Sequence, residues 1–203
     1  MSQVEKAFEA IAVRNVERAK HLIESGVDVN TVDDYSGNSL LHRAVFYGYA
    51  PMVGMLIQKG ANVNAVNKEG VCPIHVAIPD LFRYGFEDGF VEVIKLLLEH
   101  GADVNAATKH YKNTPLHLAA SPMGNNKQVV ALLLEHGADV DALDHEGRRP
   151  IDLCQTDDIS DRLKEAKAKK DMKAQPQQTM QQSVQPQQKI NPSGPSFTPD
   201  HLL

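Results

Sequence analysis

One eleven-residue pattern occurs four times in this chain, and it constrains the fold more than any other feature. It reads Lys20 to Asn30 (KHLIESGVDVN), Gly54 to Asn64 (GMLIQKGANVN), Lys95 to Asn105 (KLLLEHGADVN) and Ala131 to Asp141 (ALLLEHGADVD). Each copy joins a short apolar helix to a glycine and then to a small-polar-Val-polar tail. The glycines are Gly26, Gly60, Gly101 and Gly137, separated by 34, 41 and 36 residues. Self-similarity at such a period means stacked units, each burying its apolar face only against its neighbours.

A second landmark falls between the glycines: Ser39-Leu40-Leu41-His42, Cys72-Pro73-Ile74-His75, Thr114-Pro115-Leu116-His117 and Arg149-Pro150-Ile151-Asp152. Ser or Thr before the helix supplies a capping hydroxyl, and Pro at the first helical position needs no N–H partner. Glycine at the far end takes the left-handed conformation that closes the second helix. One unit is therefore a helix, a turn, a second helix and an extended hairpin into the next unit.

Together the landmarks resemble the ankyrin repeat, whose pattern joins a T-P-L-H-x-A helix start to an L-L-L-x-x-G-A-D-V-N helix end. The resemblance covers roughly residues 5 to 165 and implies an all-α solenoid of stacked helix-turn-helix units with hairpin loops. The domain is expected over 1–172: a cap at 1–34, repeats at 36–67, 69–108 and 112–144, and a C-terminal cap at 147–168. Departures from the pattern fall in loops. Roughly eight extra residues lie at Pro79 to Gly89, about two near Pro122 to Asn126, and one each in the hairpins at Asp34-Tyr35 and His110-Tyr111. Insertions in such arrays map to loops, often on the binding face.

The fifth unit turns polar in its second helix, as a terminal unit must when one side has no neighbour. Its basic run Lys164, Lys167, Lys169, Lys170, Lys173 reads as a helix end extending into solvent. Residues 173–203 form a Gln/Pro-rich tail: 175–188 hold eight Gln and two Pro. So few apolar side chains cannot offset ordering entropy, so the tail is expected to be disordered. Phe197 to Leu203 is its one stretch apolar enough to serve as a short binding motif.

A net charge of −5 gives no footprint for nucleic acid. No apolar run approaches the ~18 residues that span a membrane. Cys72 and Cys154 have no metal-site spacing and read as small buried residues in a reducing compartment. The expected localisation is cytoplasmic, with nucleus or a host-cell cytosol also open, and the polar caps favour a monomer.

His42, His75 and His117 recur in register. Repeats stack ~10 Å apart, too far for two imidazoles to sit ~2.0–2.1 Å from one metal. The resemblance instead gives these histidines a hydrogen-bonding role between units. His100 and His136 precede the terminal glycines, where a cation suits the helix dipole. No G-x-S-x-G, P-loop or G-x-G-x-x-G occurs. The expectation is no catalytic residue, no metal and no cofactor.

Aromatic placement carries the functional signal. In a chain only 5% aromatic, Phe46, Tyr47 and Tyr49 cluster in the second unit, and Phe82, Tyr84, Phe86 and Phe90 in and beside the long insertion. Phe82, Phe86 and Phe90 are expected in part to pin the loop, leaving Tyr47, Tyr49 and Tyr84 available beside Arg83. The hairpins present Asp33-Asp34-Tyr35, acidic, and Lys109-His110-Tyr111-Lys112, basic, so a partner of opposite polarity would be steered into register. Tyr and Arg are the side chains that dominate protein interfaces. The expected function is a non-enzymatic protein-interaction module or adaptor binding a partner protein on its concave face. Two other readings stand beside it. The resemblance implies that the hairpin residues Asn30, Asn64 and Asn105 match positions hydroxylated by an oxygen-dependent asparaginyl hydroxylase. The loop at 79–89 could act as an effector or regulatory element.

Overall fold

A computed structural model describes residues 1–78, 88–122 and 126–174. The tail beyond Ala174 and the insertion residues Phe82, Arg83 and Tyr84 lie outside the described residues.

The helices are α1 (Gln3–Ala12), α2 (Val16–Glu24), α3 (Leu40–Phe46), α4 (Ala50–Gln58), α5 (Pro73–Val76), α6 (Asp88–Glu99), α7 (Pro115–Ala120), α8 (Lys127–Glu135) and α9 (Asp157–Ala174), with a 3-10 turn at Pro150–Leu153. Local chemistry sets their starts. Glu5 N–H donates to Ser2 Oγ (3.0 Å) while Ser2 N–H donates to Glu5 Oε2 (2.6 Å), a reciprocal capping box. Asn15 and Asn126 accept first-turn N–H groups of α2 and α8. The chain leaves α2, α4, α6 and α8 through Gly26, Gly60, Gly101 and Gly137, all at positive φ, as a left-handed helix end requires.

Two layers result. The inner series is α1, α3, α5, α7 and the 3-10 turn, each packed on the next. The outer series is α2, α4, α6, α8 and α9, packed in the same order. Between the layers runs one continuous core from Ala7 to Leu163. Its largest fully buried side chains include Leu40, Leu56, Ile74, Leu97, Leu116, Leu133 and Leu163, drawn from every unit after the first, with Ile11 serving the first. The landmark leucines and isoleucines are the seams between units.

The structure refines the sequence reading at three places. The third unit's first helix is a single turn, α5, and the next described residues begin at Asp88. The fifth unit opens with a 3-10 turn rather than an α-helix. α9 also runs on to Ala174, because no glycine stops it.

Candidate functional site

Two ladders of side chains hold the hairpins in register and so determine what the hairpin surface presents. In the first, Asn30 Nδ2 donates to Gly60 O (3.2 Å) and Asn30 Oδ1 accepts from Asn62 N–H (2.8 Å). Asn64 does the same to Gly101 O (2.9 Å) and Asp103 N–H (2.8 Å). Asn105 does it to Gly137 O (3.3 Å) and Asp139 N–H (2.8 Å). An amide suits the position because each following turn offers one carbonyl and one N–H together.

The second ladder is the histidines. Nδ1 of His42, His75 and His117 accepts the backbone N–H of Ser39, Cys72 and Thr114 at 3.1–3.2 Å. Nε2 then donates to Val71 O (3.0 Å), Ala106 O (2.9 Å) and Arg148 O (3.0 Å) in the next hairpin. Each ring thus fills the third-residue role of a capping box and ties two units together, which requires the neutral form. Asp152 occupies this place in the last unit. It accepts the Arg149 N–H (2.9 Å), and among the described residues no further hairpin follows to need a donor.

Burial pushes His42 and His75 below the usual 6.5 of imidazole, despite the carbonyls they reach. Depressed folded-state values mean that these rings contribute stability fully above about pH 6.5 and lose it as the pH falls further. We therefore expect the urea midpoint to drop between about pH 7 and about pH 5.5. His42→Gln with His75→Gln should flatten that slope, since Gln can accept and donate without titrating. An unchanged slope would assign the loss to other groups.

The hairpin tips stack directly. Lys68 N–H donates to Ser36 O (3.1 Å), and Lys68 Nζ caps Asp34 O (2.6 Å) and Tyr35 O (3.2 Å). His145 N–H donates to Tyr111 O (2.9 Å), and its ring meets Tyr111 edge-on at 5.2 Å. Tyr35 is 95% exposed and Tyr111 61%. Lys109, His110 and Lys112 are exposed beside Tyr111. The Asp33 carboxylate turns onto Ser36 and Asn38, which orders the first tip, while Asp34 beside it is exposed. The acidic end of the hairpin row thus carries Asp33 and Asp34, and the basic end the Lys109 cluster.

A row that the sequence reading missed completes this surface. Val32, Val66 and Leu143 are exposed large apolar side chains. With exposed Ala107, each stands two residues after a ladder position: Asn30, Asn64, Asn105 or Asp141. The signal was present as an apolar residue in an otherwise polar hairpin at constant register. Between the second and third hairpins the row borders a groove of about 720 Å³, lined by Val66, Lys68, Ala106, Ala107, Lys109 and Asp103 among others.

The second-unit aromatics lie elsewhere. α3 begins against the hairpins and ends at Phe46, about 10 Å further along at 1.5 Å per residue. Tyr47 and Tyr49 are half-buried against the core rather than free. Arg14 explains why: its guanidinium donates to Tyr47 O (3.1 Å) and lies over the Tyr49 ring at 5.5 Å, stitching the first unit to the second. Phe46 meets Tyr47 edge-on at 5.4 Å, and Phe90 is buried with its ring against Gly48. The residues singled out from sequence thus divide between two ends of the inner helices. Phe82, Arg83 and Tyr84 are not among the described residues.

These ladders and stacked hairpins can be set beside known proteins. The family profile described as "Ankyrin repeats (3 copies)" matches residues 8–106 and 81–144. The chain belongs to the ankyrin-repeat family. It is similar to the mouse inhibitor of Bruton tyrosine kinase, 41% identical over 59 residues, which is 29% of this chain and 4% of that protein. It is 32% identical over 74 residues to mouse ankyrin repeat domain-containing protein 40, covering 36% of this chain and 20% of that one. Human Rabankyrin-5 matches at 40% over 80 residues, 34% of this chain and 7% of its own length. The chain thus spans a fifth or less of each of these relatives.

The ankyrin stack ends in an electrostatic clamp, and here the basic run departs from a solvated helix end. Asp141 stands at the ladder position where no further turn follows. Lys167 Nζ reaches Asp141 Oδ1 (2.8 Å), and Lys170 Nζ reaches Asp139 Oδ1 (2.7 Å) and Asp141 Oδ2 (2.9 Å). These lysines hold both carboxyls below the usual carboxylate range. Lys127 pairs with Asp158 at the other end of α9. A carboxylate replaces the ladder amide because its new partner is a cation. Solvated pairs of this kind are worth ~0–1 kcal/mol each, so the clamp sets register more than stability. Beside it a cleft of about 670 Å³ separates α8 from α9. Its rim mixes Arg162, Lys169 and Lys173 with Glu135 and Glu165, which gives little field to select a charged ligand.

Among the described residues, the perturbed thiols, carboxylates and imidazoles serve packing, turns and helix ends. Burial pushes both thiols up, Asp103 adding to the effect at Cys72 and Asp152 at Cys154, away from a reactive thiolate. Burial also raises the Asp144 carboxyl, but the Arg148 N–H and guanidinium and the Glu146 N–H outweigh it and hold it at about 2. His100 and His136 bond the carbonyls of Leu96 (2.8 Å) and Leu132 (2.9 Å) at their helix ends. Among the described residues, no helix is long and apolar enough to cross a membrane.

Proposed function

We propose that this chain is a non-enzymatic protein-interaction module that holds a partner protein on its hairpin tips and the adjoining inner helices. Ankyrin repeats commonly serve as such modules. The observation that carries the reading is the exposed row at the hairpins. Tyr35, Tyr111, Val66 and Leu143 expose more than half their surface while the core is complete without them. Affinity would come from a few aromatic and cationic anchors rather than from total area. Lys109 and His110, beside Tyr111, would add orientation. The proposed domain is 1–172, with 173–203 as a spacer or second contact that raises effective concentration.

The test compares partner capture by the full chain, by a Tyr35→Ala/Tyr111→Ala variant, and by a Tyr47→Ala/Arg83→Ala/Tyr84→Ala variant. We expect the hairpin variant to lose the partner while keeping the parent's melting temperature. Capture that survives the hairpin variant and fails in the other would move the site to the opposite end of the inner helices.

Asparaginyl hydroxylation at Asn30, Asn64 or Asn105 is a second reading, supported by the family resemblance of those positions. Each of these amides already bonds twice to the next turn, so a hydroxylase would have to lift it out of the ladder first. Intact mass after incubation with such a hydroxylase decides it: no species heavier by one oxygen removes the idea.

A further inference from the structure

We infer that the hairpin row takes an extended, polyproline-II-like protein segment with an apolar side chain at every third residue and carboxylates between them. This deepens the interaction reading above and rests on it. The argument starts from the ladder. Asn30, Asn64 and Asn105 each bond the next turn through both amide atoms, so successive turns repeat in the same orientation. The residues two positions later, Val32, Val66, Ala107 and Leu143, therefore recur at the spacing of packed helices, ~8–10 Å.

That spacing selects among ligand conformations. Same-face side chains on a β-strand recur every ~6.6 Å, and a helix turn advances 5.4 Å. A polyproline-II helix has three residues per turn at 3.1 Å each, or ~9.3 Å. Only the last keeps step with the row over several units. It also arrives pre-ordered, which lowers the entropic cost of binding.

Charge supplies the second requirement. Lys109, His110 and Lys112 have no acidic partner among the described residues. Lys68 Nζ donates to carbonyl oxygens and pairs with no carboxylate among the described residues. Asp103 is the one carboxylate lining the groove that Lys68 and Lys109 border. Acidic residues between the apolar ones would meet these cations. The chain's own tail fits poorly: Met180, Val184, Ile190 and Phe197 are spaced by 4, 6 and 7 residues, and 175–203 carry a single acidic side chain, Asp200.

The test titrates the full isotope-labelled chain with a synthetic peptide of four Leu-Pro-Glu repeats. One control repeats Leu-Pro-Lys, and another alternates Leu and Glu. The Leu-Pro-Glu peptide should shift the amides of Val66, Ala107 and Leu143 and bind about tenfold more tightly than either control. Val66→Asp with Leu143→Asp should weaken it by about the same factor, and Lys109→Glu should shift preference toward the Leu-Pro-Lys peptide. Equal binding of the alternating peptide, or indifference to the double variant, overturns the inference. So does binding seen only after truncation behind Ala174, which would make the tail the resident. If partner capture requires Tyr35 and Tyr111 while none of the peptides binds, the interaction module stands and the extended-segment inference falls.

Discussion

Leu116→Ala should cost about 2–5 kcal/mol, the range for deleting a fully buried leucine. Leu116 has no exposed surface and lies on α7, which packs against α5, α8 and the 3-10 turn. Its cavity would open at the seam between the fourth unit and its neighbours. A solenoid unit is stabilised only by the units on either side, so the loss should be read unevenly along the chain. Hydrogen exchange should lose protection first in α7, α8 and α9, while α3 and α4 keep theirs. The urea transition should broaden or split as the two ends uncouple. A parent-like midpoint with uniform protection would remove Leu116 from the core and cast doubt on the seam.

Gly70→Ala should be nearly as damaging, for a different reason. Gly70 has φ +75°, and a Cβ there would lie 2.4 Å from Lys109 Cβ and 2.7 Å from Lys109 N. The backbone conformation alone costs a non-glycine residue ~1–2 kcal/mol. The contact forces the 108–113 hairpin to move, and overpacking of that kind adds ~1–3 kcal/mol. Gly147→Ala is the matched control. It holds the corresponding hairpin position at the same φ of +75°, but nothing lies within 4 Å of the added methyl. The difference between the two variants measures the hairpin contact itself. Gly70→Ala should also weaken partner capture, because it displaces Lys109 from the groove. If the two variants lose the same stability, the hairpins are not in the close stack described.

Much of the architecture was legible because its causes are local and repeat. Helix stops at Gly26, Gly60, Gly101 and Gly137, helix starts at Ser39 and Thr114, and the seam leucines each follow from backbone conformation, capping or apolar periodicity. These act within a few residues and appear in the sequence in phase. The histidine ladder was anticipated differently, through the resemblance to the ankyrin repeat, which gives these rings a hydrogen-bonding role between units.

The candidate site was less legible. Tyr47 and Tyr49 read in sequence as available aromatics, yet Arg14, more than thirty residues earlier, claims them for packing. Lys167 and Lys170 form part of an ordinary solvated run until α9 folds back along α8 and brings them to Asp139 and Asp141. Val32, Val66 and Leu143 are unremarkable singly and become a row only when the amide ladder aligns the turns.

The sequence by itself determined the repeating unit and the solenoid class, because capping, glycine conformation and apolar spacing are properties of neighbouring residues. Only the tertiary structure decided which side chains remain free to meet a partner. Exposure is whatever surface is left once units distant in sequence have packed, and no local pattern carries that information.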